Sequence, residues 1–194
     1  MKIRSLLAAF FLTAVMAQAA PVVYPVQLDG PKEAPPNASL GTAVALITID
    51  VDLATMRVDV NFAGLLSPVT VAHIHAATAL PFTGTAGVAT QVPTFSGFPA
   101  GVTFGSYDQT FDMTLASSYN PTFITDNGGT PATAFAALVN AANEGKAYLN
   151  IHTDAFPAGE IRGFLIPEPA SCVLVLGGAL LLCCTRRHRP SGSA

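Results

Sequence analysis

The chain has 194 residues, a net charge of −3 at neutral pH, 51% hydrophobic and only 11% charged side chains. Nine Lys and Arg against twelve Asp and Glu leave no basic surface that could neutralise phosphates, so nucleic-acid binding is excluded as a function class. All three cysteines, Cys172, Cys183 and Cys184, stand near the C-terminus, so the body of the chain has neither a disulfide framework nor a thiol nucleophile.

The opening stretch MKIRSLLAAFFLTAVMAQAA places Lys2 and Arg4 before an apolar run from Leu6 to Ala17, closing on Ala17-Gln18-Ala19. That is the layout of a secretory signal, predicted as a helical signal peptide over 1–20 with cleavage after Ala19 or Ala20. The segment 21–166 then reads as one domain with four basic residues (Lys32, Arg57, Lys146, Arg162) against eleven acidic, a balance of about −7.

Strand signals dominate this domain. VVYPVQL is a first strand, with Pro25 suggesting an edge position. GTAVALITID and TMRVDVNF form a hairpin through DVDLAT, and in the second strand Met56, Val58, Val60 and Phe62 alternate with Arg57, Asp59 and Asn61. Period two of this kind marks a half-buried antiparallel strand. Further strands are predicted over 69–75, 102–115, 147–152 and 161–166. The Gly-, Pro-, Thr- and Ala-rich stretch 76–101 reads as a long ordered loop, with GVATQVPTF offering one brief strand. TPATAFAALVNAANEG carries Thr130 as N-cap, Pro131 at the first helical position and Gly145 at the C-terminal end, which predicts one helix over 131–144. The expected architecture is all-β, an antiparallel β-sandwich or Greek-key-like barrel with one short helix.

The tail 167–194 begins Pro167-Glu168-Pro169, continues through an uncharged segment at 170–184, and ends with Arg186, Arg187 and Arg189 close behind. The segment is predicted as a transmembrane helix flanking the domain, although about 22 Å of helix is short against a hydrocarbon core of about 30 Å. The arginines favour a cytoplasmic end. Tripeptide, apolar segment, basic cluster and terminal position together resemble a PEP-CTERM sorting signal. The resemblance implies an exosortase-type sorting protease as partner and export from a Gram-negative cell. The protein would be anchored in the inner membrane before sorting, then delivered to the outer surface or extracellular matrix, where it would meet an envelope or extracellular partner.

Two stretches bring histidines into register. VAHIHAA places His73 and His75 two apart, so on a strand both imidazoles leave the same face while Ala72 and Ile74 enter the core. In YLNIHTD, Leu149 and Ile151 point inward and Tyr148, Asn150 and His152 outward. Pairing of these two strands brings His73, His75 and His152 together. They then serve either as structural hydrogen-bonding groups or as ligands of a Zn or Cu ion, with water or Asp154 as a further donor. Imidazole nitrogens about 3–4 Å apart favour the ion, given Zn–N bonds of about 2.0–2.1 Å. A bond from His152 to a carbonyl of the Phe156–Gly159 turn favours the structural role.

AHIH at 72–75 and YLNIHTDAFPAGEIRGFL at 148–165, with LDGPKEAPPNAS and GTA near the start, resemble the signatures of the CHRD domain, the module first described in chordin. The resemblance spans roughly 24–165 and implies a β-rich interaction module of exported proteins. This chain departs from the family's pattern at Ala76-Ala77-Thr78, where a Gly-rich turn is usual. Catalytic templates are absent: no Gly-x-Ser-x-Gly elbow occurs, and no serine stands in a nucleophile's context. Asp50, Asp52 and Asp59 form a solvated acidic edge rather than a calcium loop. Glu160 and Arg162 suggest an ion pair, or a carboxylate that orients one imidazole. The leading reading is a non-enzymatic exported module without a cofactor. The rival is a Zn- or Cu-binding domain built on His73, His75 and His152.

Overall fold

The computed structural model of the protein describes residues 19–168. Seven strands form: β1 (Val22–Asp29), β2 (Thr42–Asp50), β3 (Thr55–Ala63), β4 (Val69–His75), β5 (Gly105–Asp112), β6 (Tyr148–Thr153) and β7 (Ile161–Phe164); β1 to β3 alternate buried and less buried side chains, whereas β6 is buried on both faces. All belong to one antiparallel sheet in the order β4-β6-β7-β1-β2-β3-β5. The β2–β3 hairpin follows the alternation read from the sequence, pairing Ile47 with Val58 and Ile49 with Met56.

The expected sandwich or barrel is therefore corrected to a single curled sheet, a half-barrel. Period-two patterning shows that one face is buried; it does not show what buries it. Among the described residues no second sheet does. The cover comes from the long loop after β4, whose Phe95 and Phe98 are buried, and from a helix. Phe95 packs on Phe111 at 5.2 Å between ring centroids, and Phe98 on Phe62 at 5.6 Å, which fills the mouth between β4 and β5.

The same loop also protects the outer edge of β4. Thr94 and Thr90 accept from the backbone N–H groups of Ala72 and Ile74 through their hydroxyls at 2.9 Å, so side chains take the place of an eighth strand. GVATQVPTF thus supplies two isolated bridges, His75 to Val88 and Thr90 to Tyr119, and no strand.

Two helices stand where one was expected. α1 (Pro121–Asp126) starts on Asn120, whose side chain accepts from the N–H of Thr122. Its six residues are too few to show a periodic apolar face, which is why the sequence hid it. α2 (Pro131–Asn143) is the helix predicted, capped by Thr130 and burying Phe135 and Leu138. Tyr24 ties it to β1 through a 2.7 Å hydrogen bond to Asn143.

Pro25 does not mark an edge. β1 lies inside the sheet, and Pro25 pairs with Leu46 on the β2 side. Its missing N–H is tolerated because the ladder to β7 shrinks to one pair, Asp29 with Arg162. Close approach explains Gly163: a Cβ there would press on the backbone of Gln27 and come within 2.7 Å of Val26 Cγ1. We expect Gly163→Ala to lower stability by about 1–3 kcal/mol in urea unfolding, the range for overpacking.

Among the described residues, no helix is long and apolar enough to cross a membrane. The predicted transmembrane helix is therefore not among the elements described, and inner-membrane anchorage is not carried forward. Residues 1–18 of the predicted signal helix, and the segment 170–184, lie outside the described residues.

Candidate metal centre

β4 and β6 pair in the register the parity argument requires. Val71 faces His152, His73 faces Asn150, and His75 faces Tyr148. The three imidazoles leave the sheet on the side opposite Ala72, Ile74, Leu149 and Ile151, which are fully buried in the core. That second side is not open to water either. His73, His75 and His152 are 6%, 9% and 7% exposed, because the loop after β4 and the turn after β6 fold over them.

Each ring is anchored in the same way. Nδ1 of His73 donates to the carbonyl of Pro93 at 3.0 Å, Nδ1 of His75 to that of Ala86 at 2.8 Å, and Nδ1 of His152 to that of Pro157 at 3.0 Å. A carbonyl oxygen only accepts, so each Nδ1 carries the proton and each Nε2 presents a lone pair. All three Nε2 atoms are buried without a hydrogen-bond partner among the described residues. One nitrogen of each ring lies within 4.8 Å of those of the other two. Since the carbonyls occupy Nδ1, the converging atoms are the Nε2 lone pairs. A trigonal ion at 2.0–2.1 Å spaces its donors about 3.5 Å apart, so inward shifts of under about 1 Å complete the site.

The sequence posed a structural bond and a metal site as alternatives. His152 shows why that opposition fails: its Nδ1 serves the turn while its Nε2 stays available. An imidazole has two nitrogens, and the carbonyl bond selects the tautomer that a metal needs.

Burial also keeps the rings neutral. It pushes His73 down to about 4, with the neighbouring His75 and His152 adding to the effect, and it pushes His75 down to about 4 against the opposing bond to Ala86. Burial lowers His152 as well, with the Pro157 bond opposing. Protons therefore compete weakly for the lone pairs at neutral pH.

Unfolding releases these rings to an ordinary value near 6.5, so below that the unfolded chain binds up to three protons that the folded chain refuses. Glu33 works the other way. Burial raises it to about 7 against the lowering influence of Arg162, so between pH 4.5 and 7 the folded chain holds one proton that the unfolded chain releases. His73 and His75 together outweigh Glu33, so the metal-free chain should lose stability as pH falls from about 6 towards 4.5, read by chemical denaturation across that window.

Tyr148 extends the site sideways. Its ring stacks on His75 at 4.7 Å between centroids and 7° between planes, and the guanidinium of Arg162 lies 4.9 Å from its centroid. Arg162 is 4% exposed and donates to the carbonyls of Lys32 and Gly84. A cavity of about 840 Å³ opens beside it, walled by Pro25, Pro35, Phe82 and Phe164.

The expected pair between Glu160 and Arg162 does not form. Arg162 instead faces Glu33 at 3.8 Å. Glu160 is fully buried and accepts from Ser39 Oγ at 2.6 Å, the N–H of Leu66 at 2.7 Å and Thr153 Oγ1 at 2.7 Å. It is a structural clamp and orients no imidazole. Asp154 is exposed and outside the cluster. Asp50 caps the β2–β3 turn through the N–H groups of Asp52 and Leu53, and Asp59 pairs with Arg57 at 3.0 Å, which leaves no calcium loop.

Glu33 escaped the sequence reading, since one acid in a Pro-rich loop carries no signal of burial. The anchoring carbonyls escaped it too, because backbone groups have no side-chain signature.

Comparison with family models matches the CHRD domain over residues 24–165. The chain belongs to the CHRD family. No curated protein and no solved structure matches it. CHRD domains are interaction modules and not catalytic folds, so the histidine cluster of this CHRD domain is read for binding and not for turnover.

Proposed function

We propose that this CHRD domain binds one transition-metal ion, copper or zinc, through Nε2 of His73, His75 and His152, and acts as a non-catalytic metal-holding module. One observation carries the reading: three buried imidazoles, each with its Nδ1 on a carbonyl and its Nε2 without a partner, bring ring nitrogens within 4.8 Å of one another. Left without an ion, such groups cost roughly 1–3 kcal/mol each, a penalty a fold has no reason to accumulate three times in one place. Elemental analysis of the purified chain after metal loading and desalting should return one ion per chain. A content at background, with the fold intact by circular dichroism, sinks the proposal.

The tail adds a partner. The family match ends at residue 165, and Pro167-Glu168-Pro169 with the arginine cluster supports, on sequence grounds, processing by an exosortase-type protease. The intact mass of the protein from its native host should then fall short of the full chain by residues from the C-terminal end. A mature protein ending at Ala194 would exclude that partner.

A further inference from the structure

The donor set limits the charge an ion can bring. All three ligands are neutral, and among the described residues no Asp, Glu or Cys joins them. Their outer bonds end on the carbonyls of Pro93, Ala86 and Pro157, which are neutral acceptors and not the carboxylates that would offset a cation. The acids nearby are committed elsewhere: Glu160 to Ser39, Leu66 and Thr153, and Glu33 opposite Arg162.

The surroundings are unfavourable to added positive charge. The buried guanidinium of Arg162 lies behind the Tyr148 ring that stacks on His75. A divalent ion would enter with its full charge, and the solvation it forfeits grows with the square of that charge, fourfold over a monovalent ion. Zn²⁺ usually recovers the loss through a fourth donor, a thiolate, a carboxylate or a bound water. Here the Nε2 atoms are sealed from solvent, and the cavities of about 840, 340 and 270 Å³ elsewhere on the domain are lined by none of the histidines. A three-coordinate, neutral, dry site suits a d¹⁰ ion of charge +1.

Resting on the metal-binding reading above, we propose that the site selects monovalent copper, held by three imidazoles in a trigonal array, over Zn(II) and Cu(II). The test uses the full chain with Cys172, Cys183 and Cys184 alkylated, since free thiols would themselves capture Cu(I). Cu(I) is titrated anaerobically against a colorimetric Cu(I) chelator. Zn(II) and Cu(II) are titrated against their own chelators, and Ag(I) serves as a redox-silent surrogate.

The expected result is one equivalent of Cu(I), displaceable by Ag(I), with a dissociation constant at least about 100-fold below those of Zn(II) and Cu(II). Imidazole ¹⁵N spectra should show Nε2 shifting on loading while Nδ1 keeps its proton. A double variant, His73→Gln with His152→Gln, should lose the equivalent. Zn(II) or Cu(II) held as tightly as Cu(I) overturns the selectivity and leaves metal binding standing. Failure of every ion to bind overturns both. Unchanged Cu(I) binding by the double variant places the ion elsewhere and also overturns both.

Discussion

His73→Ala is expected to reduce bound metal from one ion per chain to background and to weaken affinity by at least about 100-fold. Removing one of three donors leaves two imidazoles whose Nδ1 bonds to Ala86 and Pro157 persist, a pair too few to enclose an ion. The fold should survive the change. His73 points away from the core side of β4, and its loss removes one orphaned nitrogen as well as one ring. Thermal melts separate the two effects. An ion that binds only the native state raises the melting temperature with its concentration, so the parent chain should gain stability on metal addition and the variant should not. A variant that still melts higher with added metal would show that His73 is not a ligand.

The second large effect is structural and needs no metal. Glu160→Ala should destabilise the domain by about 3 kcal/mol or more, because Ser39 Oγ and Thr153 Oγ1 lose their acceptor in a buried place and the N–H of Leu66 loses it in a part-buried one. For a domain of this size, that corresponds to a fall in melting temperature of roughly 6–12 °C. Ser39 precedes β2, Leu66 precedes β4, and Thr153 ends β6, so one carboxylate fastens three separate parts of the chain. Glu160→Gln, which keeps one acceptor oxygen, should lose less. As a contrast, Asp108→Ala breaks a 2.7 Å ion pair with Arg57 whose side chains are 57% and 42% exposed, and solvent screening should make its loss far smaller. Equal effects from Glu160→Ala and Asp108→Ala would contradict the clamp.

The sequence revealed most where side chains repeat. Alternation in β2 and β3 and the capped, proline-started α2 could be read directly, because burial periodicity and cap chemistry act within a few residues. The meeting of His73, His75 and His152 could also be read, since parity on two strands fixes faces once the strands pair. Closure of the fold could not. Whether the inner face meets a second sheet or a loop depends on Phe95 and Phe98, which sit in a stretch without a period. The position of Pro25 misled for a related reason: a missing N–H shows only that no ladder bond forms there, and a narrowing ladder beside β7 satisfies that as well as an edge does. Arg162 illustrates a further limit. Its nearest acid in sequence is Glu160, yet its acid in space is Glu33, brought over by the turn that follows β1.

Anomalous diffraction from crystals of the metal-loaded chain tests the central claim most directly. A single strong peak about 2.0–2.1 Å from Nε2 of His73, His75 and His152, with every Nδ1 still on its carbonyl, is the predicted result. Data recorded at the metal's absorption edge with no peak among those three rings would contradict it.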